Sequence, residues 1–144
     1  MGTGIPSEIL EKIKQLTPSV LATSRDGKPY TTFITWLSAV DNKTVRFALS
    51  SDSYSAENLR QNPYASVEVI GEGFAVSISG PVKEVVQKIE ELDFGVSVFE
   101  LSVENVVDNL FPGGSVKGKI PFEHTGDVEK ARELDSIVYR YLSQ

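Results

Sequence analysis

The sequence predicts a mainly β protein in which antiparallel strands form a small barrel, with a helix before the barrel and another after it. Short segments of alternating or β-branched residues follow one another between Val20 and Gly80, turn residues separate them, and one helical segment interrupts them. Strands joined by short turns pair as an antiparallel meander. Closing such a meander into a barrel removes the exposed edges that an open sheet would leave.

The first two predicted strands form a hairpin. Residues 20–24 precede an Asp26-Gly27 pair, which is typical of a tight turn between paired strands. The second strand is predicted to run without a break from residue 30 to residue 40. In the third, residues 44–50, large apolar residues alternate with smaller or polar ones, as in a strand with one buried face.

The later strands are predicted from the same alternation. It returns at Val67 and Val69 and again over residues 74–78, with Gly71-Glu72-Gly73 turning the chain between them. Residues 95–107 are interpreted as one long final strand. The sequence therefore predicts a barrel of about six strands.

Three helices are predicted from apolar spacing and from their end signals. They cover residues 6–16, residues 55–61, which Asn62-Pro63 ends, and residues 127–142. We expect one domain over residues 1–144. Its parts are a helix at about 6–16, the barrel at about 19–111, and a C-terminal loop and helix at about 112–143.

Composition narrows the classes of function. The chain has no cysteine, so disulfides and thiolate chemistry are excluded. Its 20 acidic and 14 basic residues give a net charge of -6 without a basic cluster, which argues against nucleic-acid binding. No signal peptide or membrane-length apolar run is visible, so we expect a cytoplasmic protein that does not bind membranes.

Two motifs point away from other chemistries. The glycine-rich stretch from Gly113 to Lys119 is followed by Ile120 and Pro121, so it lacks both the hydroxyl residue and the helix of a nucleotide-binding phosphate loop. His124 is the only histidine, so a multi-histidine metal site cannot form in one chain, and a histidine-based catalytic triad is not expected. We predict no metal site and interpret His124 as a surface loop residue.

The order of these turns and strands resembles the pyridoxamine 5'-phosphate oxidase-like family of flavin-binding split barrels. The resemblance covers about the first hundred residues. It depends on these segments: Leu21-Ala22-Thr23, Asp26-Gly27-Lys28-Pro29, the serine-rich turn and helix that end at Asn62-Pro63, and Ile78-Ser79-Gly80-Pro81-Val82.

The resemblance implies a homodimer that holds flavin mononucleotide (FMN) in clefts between its subunits. It places the flavin ring near Thr35 and Trp36 and the phosphate near the turn from Ser50 to Ser55. The tryptophan is equally open to interpretation as core or dimer packing. The cofactor-binding residues that we predict are Thr35, Trp36, Ser38, Ser50, Ser51, Ser53, Ser55 and Asn58.

The sequence departs from the family where the phosphate would bind. Phe33 replaces a common arginine, Ser38 stands where a lysine can occur, and Tyr54-Ser55 replaces a basic pair. Because each charge-assisted hydrogen bond contributes about 1.5 to 3 kcal/mol, FMN binding is expected to be weak. The serine hydroxyls and the start of the following helix are the predicted substitutes, together with Lys43, Arg46 or Arg60.

Two classes of function therefore stay open. The first is a flavin-binding protein, a flavin-dependent oxidoreductase of unnamed substrate, with a deazaflavin as the alternative cofactor. The second is a split-barrel ligand-binding or interaction module that has lost tight flavin binding. Oxidation of pyridoxamine phosphate itself is not expected, because the C-terminal part has no Arg-and-His substrate motif.

Homodimerisation is also expected from the number of apolar residues. One small barrel can hardly bury all of them on a single inner face, so some are predicted to form a two-fold interface. These residues are Phe33, Trp36, Leu37, Val96, Val98, Phe99 and Leu101.

Overall fold

The structure is a computed structural model that describes residues 2–144. Over these residues it has three helices, α1 (Ser7–Ile13), α2 (Tyr54–Gln61) and α3 (Val128–Leu142). Its strands are β1 (Ser19–Arg25), β2 (Lys28–Ile34), β3 (Leu37–Asp41), β4 (Thr44–Ser50), β5 (Tyr64–Gly71), β6 (Phe74–Val86), β7 (Val96–Ser102) and β8 (Asn105–Asp108).

The strands pair in the order β2-β1-β5-β6-β7-β4-β3, with β8 also paired to β6. Each of these pairings is antiparallel. Strand β6 is long enough to serve both halves of the sheet: its first part pairs with β5 and β8, and its last part pairs with β7. The prediction of a mainly β antiparallel fold is confirmed.

One core lies between the two halves of the sheet. Leu21 of β1 and Val67 of β5 belong to the same buried cluster as Phe47 of β4 and Leu101 of β7. Helix α1 adds Ile9 and Ile13 to that cluster, as its apolar spacing predicts. The sheet therefore curls around its core, as a barrel does.

Two predicted strands are each divided in the structure. The prediction of one strand over residues 30–40 is wrong, because the chain leaves β1 after Ile34 and joins β4 from Leu37. The prediction of one strand over residues 95–107 is wrong as well. There the chain turns at Val103, whose N–H donates to the Lys43 carbonyl at 2.8 Å. These two breaks account for eight strands where about six are predicted.

The outer face of β4 and β7 carries a second apolar cluster. Ala48, Val96 and Val98 pack there with Val138 and Leu142 of α3. The central core and this second cluster together change the argument for a dimer. Between them, they bury five of the seven residues expected at an interface within the single chain. Those five are Leu37, Val96, Val98, Phe99 and Leu101.

The helices begin and end close to their predicted limits. Helix α1 is shorter than predicted and ends at Ile13. Helices α2 and α3 each begin after a capping side chain that accepts a hydrogen bond: Ser53 accepts from the Ala56 N–H, and Asp127 accepts from the Lys130 N–H. The glycine-rich stretch from residue 113 has no helix after it until α3. No helix in the described part of the chain has the length and apolarity to span a membrane.

Candidate functional site

A cavity of about 300 Å³ opens where β2 passes into β3, beside the end of β4 and the start of α2. Five of the eight predicted site residues lie around it: Thr35, Trp36, Ser50, Ser53 and Ser55. The rest of the lining comes from residues that the prediction did not include, namely Thr32, Phe33, Ile34, Ala48 and Leu49. The cavity thus combines aromatic and aliphatic walls with a group of hydroxyls.

The aromatic wall exists because the chain changes strand partners at Thr35 and Trp36. The Trp36 carbonyl accepts a hydrogen bond from the Ala48 N–H at 3.0 Å, and the Thr35 carbonyl accepts one from the Leu37 N–H at 3.0 Å. These bonds bend the backbone out of β2 and hold it against β4. The half-buried indole of Trp36 therefore faces the cavity instead of continuing the alternation of a strand.

The hydroxyl side of the cavity is built by the turn between β4 and α2. The Ser53 N–H donates to the Ser50 carbonyl at 3.0 Å, and the Ser53 Oγ accepts from the Ala56 N–H at 3.2 Å as the cap of α2. Ser55 is buried in the first helical turn. The start of this helix carries a partial positive charge, so the turn is suited to polar or weakly anionic groups.

The structure places the other three predicted site residues outside the cavity lining. Ser38 is buried on β3 opposite Arg46 of β4. Ser51 Oγ lies 2.8 Å from Ser97 Oγ, so it joins the turn to β7. Asn58 is fully buried, and its amide donates to Thr23 Oγ1 at 3.0 Å. As cofactor contacts, all three residues stay predictions. In the single chain, Ser38 is buried and the side chains of Ser51 and Asn58 bond to neighbouring elements.

The cations proposed to replace the family's basic residues each bond to another group of the protein. Arg46 bonds Glu100 through Nε at 3.0 Å, and Arg60 bonds Glu84 through Nη2 at 3.0 Å. Lys43 Nζ donates to the Thr3 carbonyl at 2.5 Å. The hydrogen bond from Arg60 also lowers the pKa of the Glu84 carboxyl.

Sequence reasoning missed a group of C-terminal side chains that brace the aromatic wall. The Trp36 indole N–H donates to Asp135 Oδ1 at 2.7 Å, and His124 Nε2 lies 3.0 Å from Asp135 Oδ2. His124 is therefore half-buried against α3 instead of standing free on a surface loop. The Tyr139 hydroxyl donates to the Thr35 carbonyl, and burial raises the pKa of that phenol.

A series of aromatic contacts links these C-terminal side chains to the cavity mouth. The Phe122 ring lies 6.1 Å from the Phe33 ring, and the His124 ring meets Phe122 edge-on at 5.4 Å. Local sequence signals could not reveal the bond between Trp36 and Asp135, because most of the chain separates these two residues. The C-terminal segment is therefore part of the site's architecture.

The fold and the cavity define an antiparallel barrel protein with a cleft at a strand junction. The profile of the pyridoxamine 5'-phosphate oxidase family matches residues 5–107, which is most of the chain. The protein therefore belongs to that family. Residues 108–144, including the side chains that brace Trp36, lie beyond the matched region. Comparison with curated protein sequences gives no significant match.

Several solved structures share the fold at low sequence identity. HupZ of Group A Streptococcus aligns with a TM-score of 0.62 at 15% identity, over 79% of this chain and all of its own. An F420 reductase aligns at 0.59 and 18%, over 72% of this chain and 98% of its own. A FAD-binding protein from Mesorhizobium loti aligns at 0.54 and 19%, over 72% and 93%. These likenesses establish a common fold.

Proposed function

We propose that this protein binds a flavin in the cavity between the β2–β3 junction, β4 and the start of α2. The observation that carries the proposal is the composition of that cavity, whose lining combines two aromatic residues, Trp36 and Phe33, with three serines. A planar ring system can pack against Trp36 and Phe33. Membership of the pyridoxamine 5'-phosphate oxidase family supports this assignment.

The residues around the cavity fit the ring and the side chain of FMN better than its phosphate. Trp36, Phe33 and Leu49 would contact the ring, whereas Ser50 and Ser53 would bond polar groups of the side chain. A bound flavin supplies two-electron transfer, and the protein orients it and excludes water. We accordingly propose an oxidoreductase of unnamed substrate whose cofactor is a flavin, either FMN or its phosphate-free form riboflavin, with a deazaflavin as the second candidate.

The second candidate is a split-barrel module that binds another small molecule or a protein. It is favoured by one observation, the absence of charged side chains from the cavity lining in the described chain. Proteins usually hold phosphate groups with arginine or lysine. A cavity lining without these residues therefore favours the module over a protein that binds FMN through its phosphate. The expectation of a cytoplasmic location stays a prediction that cell fractionation can test.

Narrowing the cavity is expected to weaken flavin binding. Thr32 lines the cavity, whereas the neighbouring Thr31 is exposed on the same strand and is not part of the lining. Thr32→Tyr should raise the dissociation constant for riboflavin or FMN by about tenfold or more, equal to 1.4 kcal/mol. Thr31→Tyr is the matched control. Calorimetric titration in which both variants bind like the original protein would place the flavin elsewhere.

We also propose a homodimer, on grounds different from those the sequence offered. Phe33 is 49% exposed at the cavity mouth, and Phe122, which packs beside it, is 40% exposed. A second copy covering these rings would close the cleft and bury apolar surface. Sedimentation at micromolar concentration should give twice the chain mass of 15.8 kDa. A mass equal to one chain would contradict the dimer.

A further inference from the structure

The lining of the flavin cavity is uncharged, and the arginines nearest to it in the fold are already bonded. Arg46 lies on the strand that supplies Ala48 and Leu49, but its Nε and Nη1 atoms donate to Glu100 and to the Tyr141 carbonyl, each at 3.0 Å. A bound anion would have to displace these bonds. Arg46 therefore supplies no free charge to a ligand.

Two further arginines lie at α2, Arg60 in the helix itself and Arg25 at the end of β1. Arg60 donates through Nη1 to the Ser51 carbonyl at 2.8 Å, in addition to its pair with Glu84. Arg25 donates through Nε to Asn58 Oδ1 at 2.7 Å, and its guanidinium lies 4.1 Å from the centre of the Tyr54 ring. Both guanidinium groups brace the helix, so neither is directed into the cavity lining.

Carboxylates, in contrast, stand beside the hydroxyls that a phosphate would need. Asp52 is exposed in the turn between Ser51 and Ser53, and Glu57 is exposed in the first turn of α2, where it pairs with Arg60 at 3.2 Å. The chain as a whole carries a net charge of -6. A dianionic group entering this turn would meet repulsion and would lose hydration without gaining a cationic partner.

We propose that the cavity selects a neutral planar ligand and that a phosphate group does not strengthen binding. This inference rests on the proposed function, since it concerns which flavin the same site takes. Serine and threonine hydroxyls can donate to or accept from the uncharged hydroxyls of a ribityl chain. Riboflavin is thus the preferred flavin, and FMN is tolerated only as far as its phosphate stays in solvent.

Parallel calorimetric titrations with riboflavin and FMN test this selection. Riboflavin should bind at least as tightly as FMN, and added salt should tighten FMN binding alone, because salt screens the repulsion. FMN binding that is about threefold tighter or more, and that weakens with salt, would overturn the inference and show that a cation of this chain or of a second copy reaches the phosphate. Binding of neither ligand would overturn the proposed function itself.

A charge introduced at the cavity mouth gives an independent test. Phe33 lines the cavity and is half exposed, so Phe33→Arg can be made without opening the core. It should lower the dissociation constant of FMN relative to that of riboflavin by about tenfold, whereas Phe33→Gln, which removes the ring without adding charge, should leave their ratio unchanged. An unchanged ratio in Phe33→Arg would contradict the role assigned to the missing cation.

Discussion

Replacing Phe47 by alanine is expected to lower the free energy of unfolding by about 3 to 5 kcal/mol. The Phe47 ring is fully buried on β4, and it stacks on the buried ring of Phe99 with centroids 5.8 Å apart. Removing it loses apolar burial and leaves a cavity between the two halves of the sheet, which cannot collapse around so large a gap. Urea denaturation followed by far-ultraviolet circular dichroism measures the loss.

Phe111→Ala is the matched control for this change. It removes the same number of atoms from a side chain that is 72% exposed in the loop after β8. We expect it to cost about 1 kcal/mol or less, in line with substitutions at the surface. Equal losses in the two variants would contradict the central position given to Phe47.

The second large effect is expected at Gly80, where β6 passes from one half of the sheet to the other. A Cβ atom added there would lie 1.8 Å from the Ser102 carbonyl oxygen and 3.1 Å from the Glu104 nitrogen. Both are backbone atoms, so a side-chain rotation cannot relieve the overlap. We expect Gly80→Ala to lower the free energy of unfolding by about 3 kcal/mol, at the upper end of overpacking effects.

Gly126→Ala provides the comparison for Gly80→Ala. Gly126 lies in the loop before α3, and an added Cβ would have open space around it. The melting temperature of the Gly126→Ala variant should match that of the original protein, whereas the Gly80→Ala variant should melt several degrees lower. Equal melting temperatures for the two variants would mean that β6 crosses between the two halves less tightly than the structure shows.

The strands were predictable where their signals are local. The alternation around Phe47 and the turn at Asp26-Gly27 determine β4 and the first hairpin, and the structure has both. The break at Thr35 and Trp36 was not predictable, because both residues suit a strand. The chain bends there to meet the Ala48 N–H of another strand, and a tertiary contact of this kind overrides local preference.

The candidate site was predictable on one side only. The serines after β4 carry a local signal, since a hydroxyl residue before a helix former indicates a cap, and Ser53 is that cap. Asp135 and His124 carry none, because the bond of Asp135 to Trp36 and that of His124 to Asp135 depend on how α3 packs against β3 and β4. The burial of Val96 and Val98 under α3 was missed for the same reason.

The most direct test of flavin binding uses the indole N–H of Trp36 in a nuclear magnetic resonance titration. Trp36 is the only tryptophan in the chain and lines the proposed cavity, so one resonance reports on the site. Adding riboflavin is expected to shift this resonance, with the same midpoint as the calorimetric titration. An indole resonance that stays unchanged at millimolar riboflavin and FMN, in protein that is otherwise folded, would contradict flavin binding and favour the interaction module.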